Sequence, residues 1–166
     1  MKKITTILVA IIIGVILYQK DETIIIPSDA IRIRIIANSN NIKDLITKNN
    51  LKENIENDIY DLIKEANNIE EARTILNNNI KEIDSIIKNN IDIDYQLDYG
   101  INYFPKKTYR GVVYEAGNYE SLVITLGEGL GNNWWCVLFP PLCLIEDNET
   151  TSDVEYQLYV KEILKN

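Results

Sequence analysis

The chain has 166 residues, 46% of them hydrophobic, which suffices for one domain with its own core and excludes disorder of the whole. Its formal net charge is −8, and residues 21–166, without Lys2, Lys3 and Lys20, carry 14 Lys and Arg against 25 Asp and Glu, a net −11. A domain that acidic gains nothing from phosphate neutralisation, which argues against a nucleic-acid partner, and anionic lipid surfaces repel it.

Met1-Lys2-Lys3 followed by the apolar stretch 4–18 has the pattern of a secretion segment. The stretch is short for a membrane span, which needs roughly 17–25 residues, and no small-x-small cleavage site follows it. Signal peptide and short uncleaved anchor both fit. Either places residues 21–166, read as a single domain, outside the cytoplasm, with membrane contact confined to residues 4–18.

Thr23–Ile26 and Ile31–Ala37 read as strands broken at Pro27-Ser28-Asp29. In the second, Ile31, Ile33 and Ile35 share one face, and Arg32 and Arg34 share the other. Asn38-Ser39-Asn40-Asn41 offers side-chain oxygens to cap the next helix. Leu51, Ile55, Ile59, Leu62, Ile63 and Ala66 recur at helical spacing and predict an amphipathic helix over 43–66. After Asn67-Asn68, the residues Ile69, Ala72, Leu76, Ile80, Ile83 and Ile87 predict a second, and the short join makes the pair antiparallel. Charges such as Lys52, Glu56, Glu70 and Lys81 read as solvated faces.

From Ile91 the period becomes two, through Ile93, Tyr95, Leu97, Tyr99, Ile101 and Tyr103, until Pro105-Lys106-Lys107 breaks it. Tyr109–Glu115 and Tyr119–Leu126 read as strands joined by a hairpin turn at Ala116-Gly117-Asn118. Ser152 with Glu155 forms a capping box that opens a terminal helix over 153–165. The order β-α-α-β-β-β-α predicts an α+β domain: an antiparallel sheet with an antiparallel helix pair packed on one face and a short C-terminal helix.

Chemistry is restricted by what is missing. Without histidine, histidine-dependent triads, the commonest general base and most zinc sites are removed. No Gly-x-Ser-x-Gly and no phosphate-binding loop occurs. No catalytic residue, metal site or cofactor is expected. Glu128 is the one acid that invites a catalytic reading, yet carboxylate chemistry wants a second carboxylate at defined separation. Sequence pairs none of Glu115, Glu120, Glu146 or Asp147 with it. A charge-assisted hydrogen bond from Glu128 to Arg32 or Arg34, or to a partner, is the stronger expectation.

Residues 127–143 are the densest segment of the chain, with three of its seven glycines, two of its four prolines, both tryptophans and both cysteines. Gly127, Gly129 and Gly131 allow a tight turn, and Trp134, Trp135 and Phe139 supply large anchoring surfaces. Pro140 and Pro141 stiffen the exit. Adjacent tryptophans on a strand point to opposite faces, one towards the core and the other towards a partner. Outside the cytoplasm, Cys136 and Cys143 suit a disulfide, closing a wide loop worth about 2.5 kcal/mol in the chain-entropy account. Two buried thiols are the alternative.

Gly127-Glu128-Gly129-x-Gly131-x-Asn133-Trp134-Trp135-Cys136-Val137-Leu138-Phe139-Pro140-Pro141-Leu142-Cys143 closely resembles the signature of the stage II sporulation protein R family. Ile31-Arg32-Ile33-Arg34-Ile35-Ile36-Ala37-Asn38-Ser39 resembles that family's Arg-x-Arg-x-Ile-Ala-Asn-Ser segment. The resemblance covers roughly residues 30 to 145. It implies a secreted forespore signal acting between forespore and mother cell. There the signal activates a membrane-embedded aspartic protease of the mother cell that processes the precursor of sigma factor E. Gly127, Glu128, Gly129, Gly131, Asn133, Trp134, Trp135, Phe139, Pro140, Pro141, Arg32 and Arg34 are the candidate partner-binding residues. The rival reading is a cell-wall glycan-binding module or hydrolase that uses Glu128, with the indoles stacking on sugar rings.

Overall fold

The computed structural model describes residues 24–142 and 153–165. The segment read as an export signal and Ser152 of the capping box lie outside the described residues. Two 22-residue helices, α1 (Ile42–Ile63) and α2 (Ile69–Asn90), form an antiparallel pair, as expected. Asn68 sets the start of α2: its side-chain oxygen accepts from the Glu71 backbone N–H at 2.9 Å, and the Glu71 carboxylate accepts from the Asn67 N–H at 2.9 Å. That reciprocal cap satisfies donors left over at a helix start. At α1 the expected side-chain cap is absent from Asn41. Ser39 instead accepts from the Asn41 N–H, and both Ser39 and Asn38 donate to the Asp44 carboxylate in the first turn.

The helices cover one face of a four-stranded sheet in the order β3-β6-β2-β7. Its strands are β2 (Ile31–Ile36), β3 (Tyr95–Phe104), β6 (Gly117–Leu126) and β7 (Asn133–Phe139). Strand β2 runs parallel to β6 and antiparallel to β7, while β3 and β6 pair antiparallel over ten residues. The core between the layers holds Ile31, Ile33 and Ile35 of β2 with Leu51, Ile55, Ile59 and Ile63 of α1. Ala72, Leu76, Ile83 and Ile87 of α2, Leu122, Ile124 and Leu126 of β6, and Cys136 and Leu138 of β7 complete it. Each such aliphatic side chain contributes about 1.5–3 kcal/mol by leaving water.

On the other face lies a second sheet, β1 (Ile24–Ile25), β5 (Val112–Tyr114) and β4 (Lys107–Tyr109), in the order β1-β5-β4. With α3 (Asp153–Ile163) it encloses a smaller core that includes Ile26, Val112, Tyr114, Val137 and Val160. Two expectations are corrected here. Residues 109–115 are not one strand, because Arg110 (φ 47°) and Gly111 (φ 79°) turn the chain through a two-residue hairpin between β4 and β5. Residues 116–118 are not a hairpin turn either. Gly117 already pairs with Phe104, so β4 and β5 are an excursion inserted into the long β3–β6 hairpin. The alternation from Ile91 starts as strand only at Tyr95, and Ile101 and Tyr103 extend past the helices into solvent.

One polar network ties helix pair to sheet. Arg73 of α2 grips the Glu120 carboxylate of β6 through Nε and Nη2, at 2.7–3.0 Å, and the Tyr99 hydroxyl donates to the same carboxylate at 2.6 Å. Burial pushes the Glu120 pKa up, but the bonds from Arg73 and Tyr99 outweigh it and the net shift is downward. A lowered folded pKa adds stability that is present above the unfolded value of about 4.3 and lost as pH falls through the folded value. Glu120→Gln should therefore destabilise by about 1–2 kcal/mol at pH 7, discounted for the partly exposed Arg73. In thermal unfolding the gap to the native chain should close below about pH 4. A gap independent of pH would contradict this assignment.

Candidate functional site

The signature segment falls into three pieces with different roles. The first, 127–132, is a tight turn built on the end of β2. Gly127 (φ 52°) adopts a backbone conformation that favours glycine, and a Cβ there would collide with the Asn38 side chain. The Asn38 Oδ1 accepts from the Glu128 N–H at 2.9 Å, and the Asn38 carbonyl accepts from Leu130 N–H at 3.0 Å. Ala37 O accepts from Gly131 N–H at 2.8 Å, and Asn40 Oδ1 from Asn132 N–H at 2.8 Å. At Gly131 a Cβ would run into the Ser39 backbone carbonyl. The Ala37-Asn38-Ser39 motif and the glycine motif are thus two halves of one latch. Asp44 holds Asn38 and Ser39 in place, and their hydrogen bonds pull its carboxyl below the usual carboxylate range.

The second piece is β7, an edge strand that pairs with β2. Cross-strand register places Ile35 beside Trp134, Arg34 beside Trp135 and Ile33 beside Cys136. The two indoles do lie on opposite faces, but both are half-buried. Trp134 packs against the helix-side core with the Lys52 ammonium 5.4 Å from its ring, so Lys52 is more than a solvated charge. Trp135 meets Phe104 edge-on at 5.4 Å on the outer face, and the Lys107 ammonium lies 5.3 Å from its ring. Asn133 is exposed at the start of the strand.

The third piece, Phe139-Pro140-Pro141, forms one wall of an open groove of about 430 Å³. Pro27, the α1–α2 connection at Ala66–Ile69, and Ile163 and Leu164 complete it.

Arg32 and Arg34 project from the outer face, as the alternation predicts. Neither bonds Glu128, which is exposed in the turn at the end of the sheet, so the expected clamp is not formed. Arg32 is 1% exposed, and its guanidinium stacks 3.4 Å from the Tyr119 ring centroid, with Phe104 at 5.3 Å and Tyr114 at 5.9 Å. Sequence reasoning missed these three aromatic residues and Lys107. Phe104 and Tyr119 sit on the face opposite the apolar stripe that marks the strands, and Tyr114 lies in a stretch that reads as one strand and forms half of a hairpin.

Two carboxylates considered as partners for Glu128 are engaged elsewhere. Glu120 is held by Arg73 and Tyr99, and Glu115 accepts from Lys106 at 2.9 Å. Glu146 and Asp147 lie outside the described residues. So does Cys143, and with it the expected disulfide; Cys136 is buried on β7 with its Sγ 3.7 Å from the Val137 carbonyl oxygen. Among the described residues no group of three or more potential ligands could hold a metal ion, and no helix is long and apolar enough to cross a membrane.

The latch makes a direct prediction. Gly131→Ala forces the new methyl against the Ser39 carbonyl and should cost about 1–3 kcal/mol, as overpacking does. Asn38→Ala removes acceptor and donor at once and should cost a similar amount. Each kcal/mol lowers the midpoint by about 2–4 °C in a domain of this size. Unchanged thermal midpoints for both variants would show that the two motifs are not mechanically joined.

The comparisons with known proteins cover both motifs. The family model described as Stage II sporulation protein R matches residues 27–149, which contain both halves of the latch. A protein of Bacillus subtilis (strain 168) named Stage II sporulation protein R is 37% identical over 133 residues, 77% of this chain and 59% of that protein. The match therefore spans less than two thirds of the relative's length. No solved structure matches the chain. With the family model covering most of its length and both motifs built into one sheet, the chain belongs to the stage II sporulation protein R family.

Proposed function

We propose that this chain is an intercompartmental sporulation signal. It is exported from the forespore by residues 1–20 and acts in the space between forespore and mother cell, held there by the N-terminal segment if that is retained. Its partner is a membrane-embedded aspartic protease of the mother cell, which once activated processes the precursor of sigma factor E. The observation that carries the reading is family membership across both motifs. An acidic domain without histidine is compatible with a ligand that does no chemistry of its own. To activate, it must bind the active state of the protease more tightly than the resting state, since equal binding shifts nothing.

The groove walled by Phe139, Pro140 and Pro141 is the receptor surface in this reading. It is open, and rigid proline walls lose little entropy on binding. Pro141→Asp places a charge in that wall without touching the latch. The variant should remain folded by thermal unfolding, yet lose at least roughly 30-fold in affinity for the outer region of the protease, and lose sigma-factor processing in sporulating cells. A folded Pro141→Asp chain that binds and signals normally would remove the groove from the account. The rival, a cell-wall hydrolase using Glu128, requires the purified chain to turn over peptidoglycan and Glu128→Gln to abolish it.

Export also sets the redox state. Cys136 and Cys143 should be joined in the exported protein. Alkylation of denatured material from sporangia without reductant should leave both sulfurs unmodified. Full alkylation would establish two thiols instead.

A further inference from the structure

The main sheet has two edges, and they are finished differently. At β7 the register with β2 shifts between Ile31 and Arg32, the Leu142 N–H folds back to the Val137 carbonyl at 3.1 Å, and Pro140 and Pro141 follow the strand. Irregular register, proline and local cover are the means by which folds blunt an edge. Strand β3 at the opposite edge has none of them. It pairs with β6 from Tyr95 to Phe104 in unbroken register and contains neither proline nor lysine. Alternate residues of an antiparallel strand direct N–H and C=O away from the partner strand. Among the described residues no strand and no backbone group pairs with that outward row of β3.

The side chains of β3 define what could lie beside it. Tyr95, Leu97 and Tyr99 pack against the helix-side core. Past the helices the same face continues with Ile101, 71% exposed, and Tyr103, 60% exposed. Two large apolar side chains two residues apart on an open strand are the neighbours that an added strand packs against. On the other face Gln96 and Asp98 are exposed, and the Asn102 Nδ2 donates to Asp98 at 2.9 Å. Residues 89–105 hold Asp92, Asp94 and Asp98 and no Lys or Arg, so no cation of this segment offsets them. The complement of such an edge is an extended chain with apolar residues at every second position, beside Ile101 and Tyr103, and lysine or arginine between them, beside Asp98. A second copy of this chain fits poorly. Its β3 brings no cation, and two domains that each carry 14 Lys and Arg against 25 Asp and Glu over residues 21–166 repel one another.

We propose that the free edge of β3 accepts an added strand, an extended segment of a partner protein in which apolar and basic residues alternate. Main-chain hydrogen bonds to the outward row of β3 supply the affinity, and Ile101, Tyr103 and Asp98 select the sequence. This edge is the one farthest from β7 in the strand order, and it shares no residue with the Phe139–Pro141 groove. It can be measured with peptides and without the protease, so it stands or falls separately from the groove and from the signalling reading.

The test uses the full chain and follows backbone amides by nuclear magnetic resonance. In the free chain hydrogen exchange along β3 should alternate, slow at amides bonded to β6 and fast at the outward ones. Protection of every β3 amide would show an edge already covered and overturn the proposal. Two short end-capped peptides of one composition are then titrated at constant ionic strength, one with valine and lysine alternating, the other with the same residues in two blocks. The alternating peptide should shift β3 amides saturably, slow exchange of the outward ones and leave the β7 amides in place. Equal binding of the block peptide would reduce the effect to charge attraction and overturn the strand claim. Ile101→Lys combined with Tyr103→Lys changes two exposed side chains and should leave folding intact. It should weaken the alternating peptide at least about 10-fold, by removing both apolar neighbours and adding like charge. Asp98→Asn should weaken it about 2- to 5-fold. Should the double variant fail to fold, Ile101→Lys alone carries the test. Dimerisation of the chain that protects the outward amides would assign the edge to a second copy and overturn the partner claim. No saturable β3 shift with the alternating peptide, or one that survives the lysine substitutions, would overturn the proposal.

Discussion

Everything in this domain is organised by the alternation of strand β2. Ile31, Ile33 and Ile35 face the helix pair and are essentially excluded from solvent, while Arg32 and Arg34 face the second sheet. Because side-chain direction in a strand has a period of two, a slip of one residue would drive two guanidinium groups into an aliphatic core. Register is therefore strongly specified, and β2 passes it on to both neighbours. It pairs in parallel with β6 and antiparallel with β7, so the strand bearing both tryptophans is positioned by the isoleucine–arginine strand a hundred residues earlier.

That dependence explains why two motifs so far apart in sequence behave as one unit. The residues just past β2, Ala37 to Asn40, supply the acceptors that hold the backbone N–H groups of the 127–132 turn. Two of the signature glycines serve this close approach rather than flexibility, since a Cβ at Gly127 or Gly131 would meet Asn38 or Ser39. Large residues of the signature divide between layers. Trp134 closes the helix side, Trp135 joins the aromatic outer layer, and Phe139-Pro140-Pro141 forms an open wall. A segment that reads as a flexible recognition loop also serves as framework, and its last residues form a groove wall.

The fold was legible wherever periodicity carried it. Both helices begin and end within a few residues of the expected positions, because Leu51 to Ile63 and Ile69 to Ile87 repeat at helical spacing and Asn67-Asn68 stops the chain between them. Local signals failed where pairing is non-local. Gly117 looks like a turn glycine, yet it opens a strand because Phe104, across an inserted hairpin, is its partner. The strand character of β7, with three aromatic residues among seven, is obscured in sequence by the glycines before it and the prolines after it, and its place in the sheet is set by β2. The outer-face cluster was the least visible. Arg32, Phe104, Tyr114 and Tyr119 come from four different strands, and no spacing links them. The expected bond between Glu128 and the arginines failed for a geometric reason: the turn sits at the end of the sheet, and Arg32 and Arg34 project from its face.

The central claim is that the two motifs form a single cooperative unit on β2, and native-state hydrogen exchange tests it most directly. The amides of Glu128, Leu130, Gly131 and Asn132 all bond to Ala37–Asn40. The account predicts that they exchange at the same opening free energy as the amides of β2, which is that of global unfolding. Exchange of these four at a much lower free energy, with β2 still protected, would show a loop that opens by itself and would contradict the account.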